Sequence, residues 1–147
     1  MYKDKDYSSL AYWEHFPHPA DMGIRGIGPT PEAAFEQAAL AMMAIMVDLD
    51  TVEPQVLVQI QCQQPDLELL LLDWLNSLLY QADVKRMVFC RFKVVIDKDR
   101  LDGSAWGQPI DPKRHVLLVE VKAATMASLA VAKDKDGKWV AQCIVDV

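Results

Sequence analysis

No stretch of this 147-residue chain stays apolar for long enough to cross a bilayer. The longest apolar run, LELLLLDWL, contains two acids and falls far short of the ~20 residues a spanning helix needs. The opening MYKDKDYSSL is charged and lacks the apolar core of a signal peptide, so the cytoplasm is the expected compartment. Cysteine is sparse: Cys62, Cys90 and Cys143 are scattered, odd in number and set in strand-like apolar contexts. Buried, reduced thiols fit that pattern better than disulfides or a zinc site. A basic excess is missing too. Lysine and arginine number 15 against 21 acids, and residues 1–64 hold three basic groups against nine acidic ones. Phosphate backbones demand a basic footprint, so any RNA contact is expected to run through a partner.

Signature loops are equally scarce. There is no GxxxxGK phosphate loop, and the glycines of GIRGIG are wrongly placed for a dinucleotide fingerprint. No serine sits in a nucleophile elbow, and Cys90 and Cys143 lie in buried-strand patterns, which argues against nucleophilic catalysis. Repeats, low-complexity tracts and interdomain linkers are absent, so a single domain is expected.

What remains is ordinary globular composition, 52% apolar and 24% charged. Residues 1–11 are expected to form a flexible lead-in and residues 12–147 one compact domain. YWEHF reads as a short strand, and after the bends of HPAD a second strand runs around Gly23 to Gly28. In GPTPEAAF, Thr30 caps a helix, Pro31 fits its first position and Glu32 complements its dipole. Phe35, Ala38, Met42, Ile45 and Leu49 then recur at helical spacing to about Asp48, with Met42, Met43 and Met46 read as core. VLVQIQCQ alternates as a half-exposed strand with Val56, Val58, Ile60 and Cys62 on one face. Asp66 caps a second helix, apolar on more than one face and so buried on two sides. RMVFCRFKVVID reads as a strand, DKDRLDG as a turn region, SAWGQPIDP as a short strand with a bend, and HVLLVEVKAAT as a further strand. LAVAK and KWVAQCIVDV flank DKDG as a C-terminal hairpin, with Gly137 suited to positive φ. Two helices on an antiparallel or mixed sheet make this α+β.

Two places concentrate polar chemistry. HFPHPAD sets His15, His18 and Asp21 within seven residues, either as a polar-capped turn or as metal ligands, with Asp21 expected in a loop. In the closing strand Asp146 shares a face with Ile144, which predicts a partly buried acid in need of a partner. A basic side chain such as Lys122 or Arg25 is one candidate. A hard cation is the other, because it prefers several oxygen ligands.

HPADMGIRGIGPTPEAAFEQAALAMMAIM, DLELLLLDWLNSLLY, FCRFKVVID, AWGQPIDPKRH, VEVKAAT and the closing CIVDV occur in an order that resembles the archease family over residues 12–147. The resemblance implies a non-catalytic, metal-binding accessory protein that activates a GTP-dependent RNA ligase of the RtcB type. Such a protein promotes guanylylation and turnover in tRNA splicing and RNA repair. It implies a divalent ion, calcium above all with magnesium or manganese as alternatives, held by Asp21, Asp146 and the terminal carboxylate of Val147. On that reading a tail after Val147 removes a ligand. RNA is then expected to be met only through the ligase, and the hydropathy of the sequence leads us to expect no membrane partner. The sequence departs from the family pattern at Gln108 and Ser77, where acids are usual, at Ser128 for histidine and at Pro19 for threonine. The alternatives are a chaperone-like protein-binding module, a purely structural domain with Asp146 in a salt bridge, and a small metal-dependent phosphohydrolase using Asp21 and Asp146 with His18 as base.

Overall fold

The computed structural model describes residues 10–147, so nearly all of the expected lead-in over residues 1–11 lies outside it. Eight strands and two α-helices follow in the order β1 (Tyr12–His18), β2 (Asp21–Gly28), α1 (Pro31–Met46), β3 (Val56–Gln63), α2 (Leu67–Lys85), β4 (Met87–Asp97), β5 (Arg100–Pro109), β6 (Ala123–Ala124), β7 (Ala130–Lys133) and β8 (Trp139–Asp146). A short 3-10 turn, Leu49–Thr51, follows α1. The strands form two antiparallel sheets, so the fold is α+β as the sequence predicts. The first sheet has the order β1-β2-β8-β6, with β7 also on β8; the second runs β3-β5-β4.

Helix α1 begins where Thr30 Oγ1 accepts the Ala33 N–H at 3.1 Å. It lies on the first sheet at Gly26, where a Cβ would overlap the Ala34 carbonyl and the Ala38 amide. That backbone-to-backbone approach is what requires glycine there. Ala34, Phe35, Ala38, Met42 and Met43 are fully buried. Helix α2 is capped by Asp66, whose Oδ1 accepts the Leu69 N–H at 2.8 Å, and ends at Arg86 in the left-handed region. It packs on the second sheet, where the Trp74 ring lies against Gly103 of β5, and Leu70, Leu71, Leu75 and Leu78 are buried along the helix. Trp74 is fully buried and donates its indole N–H to the Phe35 carbonyl at 3.2 Å, tying the two helices together. The C-terminal hairpin of β7 and β8 is present, with Gly137 at φ 81° in its turn.

Three expectations need correction. HVLLVEVKAAT is not one strand: only Ala123–Ala124 pairs as a strand, and Leu117 makes an isolated bridge to Val47. The reason is that its amides are used elsewhere. Leu118 and Val119 donate to Met46 and Ile45, closing carbonyls that the C-terminal turn of α1 leaves open. The segment is therefore a strap, with Val116, Leu117, Leu118 and Val119 about half exposed. Likewise DKDRLDG is not all turn. Asp97 pairs with Arg100, so the turn is Lys98–Asp99, and β5 is a ten-residue strand beginning at Arg100. Finally, α1 stops at Met46, because Val47 turns extended and Leu49 starts the 3-10 turn.

Candidate functional site

The hairpin of β1 and β2 places His18 opposite Asp21, with only Pro19 and Ala20 between them. Ala20 sits at φ 65°, a left-handed conformation that costs an alanine about 1 kcal/mol. Asp21 is thus the first residue of a strand rather than part of a loop. Its neighbour β8 pairs Met22 with Val145 and Gly23 with Ile144. Continued by one residue, that register sets Asp21 opposite Asp146, and directly opposed residues of an antiparallel pair share a face. On the other side of β8, Ala123 pairs with Asp146. His18, Asp21, Asp146 and Ala123 therefore form a row across four strands at one end of the first sheet. His15 belongs to the opposite face, where Nε2–H donates to the Ala41 carbonyl of α1 at 2.7 Å.

Asp146 is exposed rather than partly buried. Its cross-strand neighbours, Asp21 and the small Ala123, do not reach over it. Neither expected basic partner pairs with it. Arg25 instead bridges to Glu14 at 2.6 Å and donates to Gln142 at 2.9 Å. Among the described residues the remaining ion pairs are Arg100–Asp102 and Arg114–Glu53. Lys122 reaches Asp146 only by its backbone, N–H to carbonyl at 2.8 Å. Two like charges opposed on a sheet repel, and a cation between them reverses the sign. Among the described residues no three His, Cys, Asp or Glu side chains gather as a metal site. The expected set contains only two such side chains, its third donor being the carboxylate of Val147, a half-buried residue packed on the core. All these donors are oxygens, the chemistry suited to a hard cation.

The strand beside this end is held by a residue that sequence reasoning missed. The Asn76 carboxamide of α2 accepts the Ala124 N–H at 2.9 Å and donates to the Ala124 carbonyl at 3.1 Å, closing the outer edge of β6 as another strand would. Thr125 completes the clamp, with its N–H and hydroxyl both donating to the Ile144 carbonyl. An asparagine on the polar side of a helix gives no sequence signal for that role.

The unusual positions lie elsewhere. Gln108 is buried: His115 Nδ1 accepts the Asp111 N–H, which leaves Nε2–H to donate to Gln108 Oε1 at 2.9 Å. Ser77 donates to Asp73 at 3.2 Å, and Ser128 is exposed at φ 53°. All three cysteines are free. Burial pushes the Cys62 thiol up to about 11 and Cys143 up to about 12, and it also raises Cys90, so all three are poor nucleophiles at neutral pH.

The Archease protein family matches residues 13–147. The chain belongs to the archease family. Protein archease of Pyrococcus furiosus is 42% identical over 142 residues, covering 94% of this chain and all of that one. Protein archease of Methanopyrus kandleri is 38% identical, over 92% of this chain and 99% of that one. The solution structure of Methanobacterium thermoautotrophicum protein 1598 superposes with a TM-score of 0.81 at 37% identity, over 92% of this chain and 98% of that one. An archease from Thermotoga maritima, described as a possible chaperone, shares the fold at a TM-score of 0.56 and 15% identity, over 90% of this chain and 94% of that one. No helix among the described residues is long and apolar enough to cross a membrane.

Proposed function

We propose that this archease is a non-catalytic accessory protein that activates a GTP-dependent RNA ligase of the RtcB type, using a divalent cation held by Asp21, Asp146 and the Val147 carboxylate. The observation that carries the reading is the register of β2 on β8, which brings two aspartates from opposite ends of the sequence onto one face. An opposed acid pair to which no basic side chain bonds among the described residues is poised for a cation, and calcium is the ion expected first. The ion would neutralise charge where guanylyl transfer takes place on the ligase, a reaction governed by positioning and electrostatics. This chain's own part is to hold the carboxylates in register and present them at an exposed sheet end. The net charge of −6 suits docking on the basic RNA-binding face of such a ligase in the cytoplasm.

The test is ligase guanylylation with and without the protein. Asp21→Ala and Asp146→Ala each remove a charged ligand at an exposed strand end, so stimulation should fall by about tenfold or more while the fold persists. Undiminished stimulation by both variants sinks the reading.

A second reading has its own observation. A cavity of 640 Å³ is walled by Met46, Leu79, Met87, Ile110 and the strap residues Leu117 and Val121. Beside it Tyr80 and Leu118 stand exposed. Such an apolar surface suits a protein-binding, chaperone-like module. Binding of unrelated unfolded clients, unchanged by EDTA, would favour it over the metal-dependent activator.

A further inference from the structure

Most sheet edges of this molecule are protected, each differently. The outer strand β1 carries Glu14 and Pro17, β6 is closed by Asn76, and β7 is four residues long and ends in Lys133. On β4, Glu36 accepts the Val94 N–H at 2.8 Å and Glu32 the Ile96 N–H at 3.4 Å. The strand β3 has none of these devices. Its eight residues, VLVQIQCQ, include no charge, no proline and no register shift. Such an edge is a template for another strand.

Its hydrogen-bonding parity is fixed. Gln64 donates to the Asp99 carbonyl at 3.0 Å, so the even-numbered residues of β3 turn their backbone groups toward β5. Leu57, Gln59, Gln61 and Gln63 turn theirs outward. Carried across β5, the same parity turns Val94 and Ile96 outward on β4, and these are the two amides that the glutamates cap. The outward amides of β3 meet no acceptor among the described residues.

We propose that two copies of this chain pair antiparallel through β3, about a two-fold axis at Ile60. That axis sets Leu57 against Gln63 and Gln59 against Gln61 of the second copy. Each of these pairs exchanges two hydrogen bonds, about eight in all, and the two three-stranded sheets become one of six. Self-pairing suits the side chains, because three glutamines and a leucine oppose one another with no like charges. The groove of 340 Å³ beside β3, lined by Gln59, Gln61, Asp73, Ser77 and Tyr80, lies along the same seam. The net charge of −6 on each copy opposes association, so added salt strengthens it.

Sedimentation of the full chain reads the outcome. At about 1 mM chain, where a small interface populates its complex, the mass should double, and more completely at about 0.5 M salt. Amide exchange should then slow at Leu57, Gln59, Gln61 and Gln63 only. Gln61→Pro removes one outward N–H that no bond to β5 uses, so it should keep the fold and abolish the doubling. Should that variant not fold, the double change Gln59→Lys with Gln61→Lys gives the same readout by repulsion. A monomer at high concentration and salt overturns the proposal. So does a dimer that survives these substitutions, or outward amides already protected in dilute monomer.

Discussion

Helix α1 meets the first sheet backbone to backbone at Gly26, whereas α2 meets the second sheet through the bulk of Trp74 and its leucines. Each helix also sends polar side chains to an edge of the sheet it does not primarily cover. From α1, Glu32 and Glu36 close the edge of β4; from α2, Asn76 closes the edge of β6. Two small sheets with open edges thereby become one cooperative unit, each helix packing mainly on one sheet and hydrogen-bonding to an edge of the other. The lesson is that packing chooses which face a helix covers, while a few polar groups decide which edges stay shut. Among the described residues β3 has neither such a visitor nor the charges, proline or shortness that guard β1 and β7.

Substitutions can break this reciprocity in graded steps. Trp74→Ala empties the packing half of α2 and should cost about 3–5 kcal/mol in chemical denaturation. Gly26→Ala forces α1 off its sheet; because the obstacle is backbone, the loss should reach about 3 kcal/mol, the top of the usual range for overpacking. Asn76→Ala leaves both Ala124 groups unmet and should cost about 2 kcal/mol. It should also speed amide exchange at Ala124, which a purely packing role for α2 would not alter. Glu36→Gln should have the smallest effect, and of opposite sign. Burial raises the Glu36 pKa, partly offset by the Val94 N–H. The folded state therefore holds this proton more tightly than the unfolded chain, and stability contributed here falls as pH rises through the folded value. Glutamine keeps an acceptor for Val94 without the charge, so the variant should melt slightly higher at pH 7. The gain should vanish in titrations below the ordinary carboxylate range.

Local chemistry was readable in the sequence, and long-range pairing was not. Thr30 and Asp66 cap their helices as their positions predict, and Val58, Ile60 and Cys62 are the buried face of β3. Gly137 takes the positive φ its turn asks for. By contrast, HVLLVEV has the apolar run of a strand, yet its amides serve the end of α1, a partner with no trace in its own composition. Arg100 and Asp102 made β5 look like turn because they lie on its solvent face, where a strand tolerates charge. Asp21 and Asp146 were singled out from the sequence. What only the register supplies is that they stand on one face, and that Asp146 is exposed. Glu32 was legible as a dipole partner for α1, but its contact with Ile96 depends on a distant strand.

The seat of β8 between β2 and the pair β6 and β7 also governs how the molecule is made. On a ribosome the chain emerges from its N-terminus, so β2 is present while the strand it needs is still the last element in line. The early hairpin and helix must wait with an unpaired edge through the synthesis of the entire second sheet. Closure then joins segments far apart in sequence, a topology that folds slowly. The aspartate pair comes into being only at that final step, so a nascent or partly folded chain presents one carboxylate without the other.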